Sequence, residues 1–243
     1  MKAEIKKILQ DSHLFPLVNA IMDLGKLLRY QMHRRFGAVD RQILTNYLQQ
    51  TQVRKLHIGC GFNMIDGWLN SDYQPYPIDT LRLDATKTFP IEDNQFDYIF
   101  SEHMIEHLEY AGGSSMLKEC FRVLRKDGTI RVSTPDLPFL IDLYRNDKSV
   151  QQTDYIKWAT DNFVPDTDNN DVFVINNFVR AWGHQFIYDE KTLRSSMEKA
   201  GFMNITKCDL NQSAEAPFRD LENETRLPPG FLKMETLTLE GTK

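Results

Sequence analysis

The sequence predicts an α/β fold, with a doubly wound, mainly parallel sheet of about seven strands that has an antiparallel edge strand. Short apolar runs alternate with segments of helical periodicity over most of the chain, which is the pattern of a parallel sheet. The first of these runs leads directly into Gly59-Cys60-Gly61, and acidic residues, Asp72 and Asp84, follow the next two runs. In a parallel sheet these strand ends lie at one edge, so the residues are expected to share a crevice.

Composition and length indicate a water-soluble protein with a large core. The chain has 243 residues, of which 41% are hydrophobic and 26% charged. Its cysteines, Cys60, Cys120 and Cys208, are scattered without a metal-binding pair spacing, so we expect a reducing compartment and no metal. The chain opens without a secretion signal, and no apolar run approaches the roughly 18 residues of a membrane span. These features predict a cytoplasmic location.

Charge is distributed unevenly along the chain. The first 50 residues carry eight Lys/Arg and four Asp/Glu, whereas the remainder carries 21 and 30. An acidic main body disfavours a polyanion as partner, so we expect no nucleic acid.

Residues 1–50 are predicted to form an N-terminal helical extension. Apolar residues recur at helical spacing between Leu14 and Leu28, and a second helix is predicted to start with Asp40 as its N-cap. Such apolar helices commonly pack on the main domain or on a second copy, so they could support a homo-oligomer. A substrate lid and contact with a membrane surface remain open as alternatives.

Residues 51–243 are predicted to form the α/β domain. One helix is predicted to be capped by Ser114 and to end at Asp127-Gly128, and another over Asp189–Ala200 to end before Gly201. The aromatic segment 137–182 lacks a strand pattern and is expected to be a helical cap insertion over the active site. The last two strands should be antiparallel neighbours at one sheet edge. The strands are predicted over Lys55–Ile58, Trp68–Ser71, Thr80–Leu83, Phe96–Ser101, Thr129–Ser133, Ile205–Leu210 and Lys233–Leu239.

The strand ends predict a nucleoside site. A glycine turn after the first strand lets a ligand approach the backbone, whose N–H groups suit an anionic group. At the next two strand ends, Asp72 can accept hydrogen bonds from ribose hydroxyls and Asp84 from an adenine amino group. The fourth strand end supplies Glu102 and His103. Together these positions predict a bound adenosine.

The same segments resemble a known family. LHIGCG, GWLNSD, LDATKTFP, FDYIFSEHMIEHL and FRVLRKDGTIRVSTPD are similar to the successive motifs of class I, Rossmann-like methyltransferases that use S-adenosyl-L-methionine (SAM). More closely, they resemble a subgroup found with cell-surface saccharide genes. The resemblance covers residues 55–136 and resumes over 183–202. It implies a cofactor site made of Gly59, Cys60, Gly61, Asp72, Tyr73, Asp84, Ala85, Glu102 and His103.

By position, the resemblance implies a role for each part of this set. Gly59 and Gly61 would face the methionine part of SAM, and Asp72 the ribose. Asp84 and Ala85 would bind the adenine, with Glu102 and His103 beside the sulfonium.

Two positions depart from the family pattern. His57 stands where the first motif normally has an acid, and Asn63 where it has a third glycine. These departures leave open a catalytically inactive, SAM-binding regulatory or assembly subunit. An NAD dehydrogenase is disfavoured because its glycine pattern would place Gly or Ala at Met64 and an acid about 20 residues later.

The acceptor and the catalytic base are the remaining functional questions. We expect methyl transfer to a small-molecule acceptor, such as a hydroxyl of a sugar or another metabolite. His184 and His107 are the candidate general bases, since a neutral imidazole accepts a proton near neutral pH. A remote alternative is a zinc hydrolase, because His103, Glu106 and His107 spell H-x-x-E-H. No third zinc ligand is evident for it in the sequence.

Overall fold

The structure, a computed structural model, describes residues 37–74, 79–164 and 168–243. Its contacts divide the chain into two units, Met1–Gln50 and Thr51–Lys243. In the first unit, helix α1 covers Ala38–Gln50, and Asp40 lies in its first turn, so the prediction of Asp40 as N-cap is wrong. The helix starts earlier because the Gly37 carbonyl, at a residue with a φ of +65°, accepts a hydrogen bond from the Arg41 N–H. The helix predicted between Leu14 and Leu28 lies outside the described residues.

A seven-stranded sheet forms the centre of the second unit, in the order β3-β2-β1-β4-β5-β7-β6. All neighbouring strands are parallel except β7, which runs antiparallel to β5 and β6. The predicted fold class and the antiparallel pairing of the last two strands are therefore confirmed. The strands are β1 (Lys55–Ile58), β2 (Leu69–Asp72), β3 (Leu81–Arg82), β4 (Phe96–Glu102), β5 (Leu124–Pro135), β6 (Met203–Lys207) and β7 (Thr236–Thr242).

Six further helices accompany this sheet among the described residues. Helix α2 begins after Glu109 and ends at Val123, so the predictions of Ser114 as its cap and Asp127-Gly128 as its end are wrong. The N-cap Asp189 and the left-handed Gly201 of helix α6 are confirmed. The helices are α2 (Tyr110–Val123), α3 (Leu137–Leu143), α4 (Val150–Phe163), α5 (Asp171–Arg180), α6 (Glu190–Ala200) and α7 (Phe231–Glu235). In the described part of the chain, no helix is both long and apolar enough to span a membrane.

The sheet order fixes where a ligand can bind. From β1 the chain first adds β2 and β3 on one side and then β4 and β5 on the other, so β1 and β4 meet at a topological switch point. A crevice opens at such a point outside the carboxyl ends of the strands. Helices α3, α4 and α5 occupy the predicted cap insertion, where their buried side chains form one apolar cluster with Phe231 of α7.

Candidate active site

The first turn of the crevice follows β1. Gly59 and Cys60 donate backbone hydrogen bonds of 2.9 and 3.0 Å to the carbonyl of Ser71 in β2. Gly59 has a φ of +72°, and a Cβ there would overlap the side chain of Met104, which follows β4. Glycine is therefore needed both for the left-handed backbone and for the close approach of the two strand ends.

Asp72, at the end of β2, organises the next turn. One carboxylate oxygen accepts a 3.0 Å hydrogen bond from the Gly61 N–H, and the other a 2.8 Å bond from the Gln74 N–H. The second bond fixes the bend that follows β2. Tyr73 is 57% exposed and lies with its ring beside the Arg82 guanidinium.

Asp84 follows β3 and is held by its own turn. Its Oδ1 accepts from the Thr86 N–H at 3.0 Å and from the Thr86 hydroxyl at 2.6 Å. The Thr86 hydroxyl hydrogen bond is the main reason why the pKa of Asp84 is lowered. The carboxylate is thus ionised at neutral pH and ready to accept a further hydrogen bond.

A cavity of about 600 Å³ joins these strand ends, and six of the nine predicted cofactor residues line it. His107 lines it as well. The size lies within the roughly 300–1,000 Å³ of small-ligand sites, and the two carboxylates supply the few polar groups such sites use. The predicted cofactor residues on its walls are Gly59, Asp72, Tyr73, Asp84, Ala85 and His103.

Three predicted cofactor residues do not line this cavity. Gly61 contributes instead through its N–H bond to Asp72, and the Cys60 thiol is buried, which raises its pKa to about 12. The Glu102 carboxylate accepts a 3.2 Å bond from the Asn223 N–H and faces Arg226 at 3.6 Å. Burial is the main cause of the raised pKa of Glu102.

A second cavity, of about 240 Å³, adjoins the first, and His103 and His107 line both. Aromatic side chains of the cap insertion form much of its wall. Arg226 and Glu235 also line it, and neither was predicted from the sequence because their segment carries no recognisable motif. The aromatic wall consists of Tyr155, Trp158, Phe163, Phe178 and Trp182.

Both candidate bases lie on this second cavity. The ring centroids of His107 and His184 are 5.0 Å apart. His184 Nδ1 lies 2.6 Å from the Phe178 carbonyl, which can only accept, so Nδ1 carries the proton and Nε2 has the free lone pair. Desolvation lowers the pKa of both histidines, so both rings are neutral at neutral pH.

Glu106 lies beneath the two histidines and has no exposed side-chain surface. The Thr134 hydroxyl donates to its Oε2 at 3.1 Å. Burial raises the pKa of Glu106 to about 8. His103, whose pKa burial lowers strongly, lies with Nδ1 3.5 Å from Glu106 Oε1 and Nε2 2.9 Å from the Thr236 hydroxyl.

Comparison with known families agrees with this geometry. Residues 44–132 match the family model described as a methyltransferase domain. The matched segment covers β1 to β4 and the strand ends of the crevice, and together with the sheet order it supports a SAM-dependent methyltransferase with a Rossmann-like fold. The comparisons give no support to the hydrolase or to the inactive subunit.

Several solved structures are also similar to the chain. A SAM-dependent methyltransferase from Thermotoga maritima, described as a possible histamine N-methyltransferase, is 19% identical, with 88% of this chain and 95% of that chain covered and a TM-score of 0.46. A SAM-dependent methyltransferase from Archaeoglobus fulgidus is 15% identical, with 90% and 94% covered and a TM-score of 0.47. One from Mesorhizobium loti is 14% identical, with 79% and 91% covered and a TM-score of 0.48. These likenesses are too distant to bear on the acceptor. No curated protein matches the chain.

Proposed function

We propose that the protein transfers the methyl group of SAM to a hydroxyl of a small molecule, such as a sugar, bound in the aromatic cavity. The observation that carries this proposal is the junction of two cavities. The larger one carries the nucleoside-type residues, the smaller one is lined by aromatic rings, and His103 and His107 belong to both. A methyl donor and an acceptor bound side by side would meet there.

In the larger cavity, each wall suits one part of SAM. Asp72 would accept from the ribose hydroxyls, and Asp84 from the adenine amino group beside Ala85. The methionine part would lie against the Gly59 backbone and the Met104 side chain, which both line this cavity. In this arrangement the sulfonium would point toward the loop after β4, which carries His103.

The smaller cavity suits one ring-sized group. An apolar cavity of about 150 Å³ binds benzene in another protein. A cavity of about 240 Å³ therefore has room for one substituted six-membered ring. Aromatic walls pack well against the C–H faces of a sugar, while histidine and Arg226 offer polar contacts to its hydroxyls.

The transfer needs alignment and one proton acceptor. An oxygen lone pair of the acceptor forms the new bond to the methyl carbon, and the electron pair of the broken carbon–sulfur bond stays on sulfur. The hydroxyl proton passes to a neutral imidazole, for which the Nε2 lone pair of His184 and the ring of His107 are the candidates. Holding the two reactants in a dry cavity supplies much of the rate gain.

Calorimetry with SAM and S-adenosylhomocysteine tests the cofactor site. Asp72→Ala and Asp84→Ala should each weaken binding about tenfold or more, because each removes a charge-assisted hydrogen bond. Asp66→Ala is the matched control, since Asp66 is exposed and does not line the cavity. Wild-type affinity in both site variants would refute the placement of the nucleoside.

A panel of acceptors tests the smaller cavity. Sugars, phenols and amines are incubated with SAM, and formation of S-adenosylhomocysteine is measured. We expect turnover with hydroxyl acceptors and a loss of kcat in His184→Gln with an unchanged Kd for SAM. Turnover confined to amines would contradict the hydroxyl acceptor.

A further inference from the structure

The smaller, aromatic cavity is the proposed acceptor cavity. Its wall carries the one group of three metal-ligating side chains found in the described part of the chain. Glu106, His107 and His184 each offer a ligand atom, and these atoms lie within 4.8 Å of one another. Two imidazoles and one carboxylate form a common ligand set for divalent transition metals. We propose that these three residues bind one divalent transition-metal ion at the wall of the acceptor cavity.

The carboxylate provides an independent indication of a ligand. Glu106 is fully buried, and its Oε1 has no hydrogen-bond partner among the residues that the structure describes. That atom lies 4.0 Å from His107 Nε2, and Glu106 is one of the residues that line the cavity. A buried carboxylate oxygen is costly unless it is paired or coordinates a metal. A cation between Glu106 and the histidines would satisfy it.

Neighbouring groups orient the three side chains of the proposed site. The Phe178 carbonyl holds the Nδ1 proton of His184 and leaves Nε2 to bind. For His107, Nδ1 lies on the side of Gly183, and Nε2 faces Glu106. Thr134 likewise orients the carboxylate through Oε2. Metal-binding histidines and carboxylates in proteins are commonly oriented by such outer hydrogen bonds.

The geometry requires only a small contraction around the ion. Nitrogen and oxygen ligands on tetrahedral zinc are roughly 3.4 Å apart, as bond lengths near 2.0–2.1 Å require. The ligand atoms, which lie within 4.8 Å of one another, would have to move closer by up to about 1.4 Å to reach that spacing. Three protein ligands leave at least one coordination position for the contents of the cavity.

The free coordination position on the metal ion would take an oxygen atom of the methyl acceptor. This step rests on the proposed function. A metal ion lowers the pKa of a hydroxyl that it binds, so the hydroxyl proton can pass to water before the methyl is transferred. His107 and His184 would then serve as ligands and not as bases. Activity in the absence of metal separates these two roles.

Metal titration tests the site directly. The full-length protein is stripped with a chelator, and Zn²⁺, Mn²⁺ and Co²⁺ are titrated in by calorimetry. We expect one ion per chain, bound at least tenfold more weakly by Glu106→Gln and by His184→Gln. Glu235→Gln is the matched control because it removes a buried carboxylate of the same cavity that pairs with Tyr155. Its metal affinity should stay close to that of the wild type.

Two measurements keep the test independent of variant folding and of the proposed function. Far-UV circular dichroism shows whether each variant is folded, and pulsed EPR of the Cu²⁺-loaded wild type should detect two coordinating imidazoles. Absence of stoichiometric binding, or binding that survives both ligand substitutions, would overturn the metal site. Metal binding without SAM binding would overturn the proposed function alone. Full methyl transfer by the chelated enzyme would overturn the role toward the acceptor.

Discussion

His57 lies inside the sheet and not on the wall of the cofactor cavity. Its ring is buried, with Nδ1 3.1 Å from the Asn70 side-chain oxygen and its centroid 5.2 Å from that of Phe100. Burial lowers the pKa of His57 to about 4, so the ring is neutral at pH 7 and Nδ1–H donates to Asn70. Replacing the usual acid of the first motif with histidine therefore adds no positive charge near a sulfonium.

Burial of neutral His57 predicts a loss of stability in mild acid. The unfolded chain takes up a proton near pH 6.5, whereas the folded chain does so only near pH 4. The stability contribution is thus fully present above pH 6.5 and declines as the pH falls toward 4, by up to about 3 kcal/mol. Urea unfolding between pH 7.5 and 4.5 measures it. His57→Gln should show a smaller pH slope, and an unchanged slope would exclude this histidine as the source.

The turn between β1 and the loop after β4 shows how backbone elements shape the site. Gly59→Ala would strain a left-handed residue and force Met104 out of the cavity wall. We expect SAM affinity to fall at least about tenfold and stability to fall by about 1–3 kcal/mol. Calorimetry and urea unfolding measure the two effects.

Gly61→Ala is the control for this turn. Gly61 also has a positive φ, of +50°, but a Cβ there would meet open space. It should therefore cost only the backbone strain of about 1–2 kcal/mol. Equal losses of SAM affinity in the two variants would show that backbone strain alone matters and that the contact with Met104 does not.

Local sequence signals predicted most elements, and the exceptions have tertiary causes. Ser114 was predicted as an N-cap, yet Ser114 and the two glycines before it, Gly112 and Gly113, lie inside α2. A Cβ on Gly113 would lie 2.5 Å from the Tyr188 hydroxyl, so the helix needs a glycine there for packing. Ser114 turns its hydroxyl to the Tyr110 carbonyl, as serines inside helices do.

In the site, too, local sequence signals predicted some residues, whereas others are brought in by tertiary structure. The strand-end residues Asp72 and Asp84 could be predicted because a parallel sheet collects its strand ends at one edge. Arg226 and Glu235 reach the smaller cavity from the long segment between β6 and β7, where the sequence has no motif. Glu235 was predicted to lie in the last strand, but it ends α7. His184 could be singled out as a residue, but its proximity to Glu106 depends on how the cap insertion folds back.

At the scale of the whole molecule, a buried ion-pair network attaches that long segment to the sheet. Arg131 of β5 is fully buried and donates to Glu222 at 2.6 Å and to Glu240 of β7 at 2.5 Å. Its remaining N–H groups reach the carbonyls of Asp209 and Gln212. Glu222 precedes Asn223, which binds Glu102, so the network also fixes the approach to the crevice.

Removing the central cation should therefore destabilise the whole domain. Arg131→Met leaves two buried carboxylates without their partner, which typically costs about 3–5 kcal/mol. Guanidinium unfolding measures the loss. A triple variant that adds Glu222→Gln and Glu240→Gln should recover part of it, because it removes the unpaired charges while keeping the side-chain volumes. A loss below about 1 kcal/mol in the single variant, or a further loss in the triple one, would show that charge pairing does not hold this segment in place.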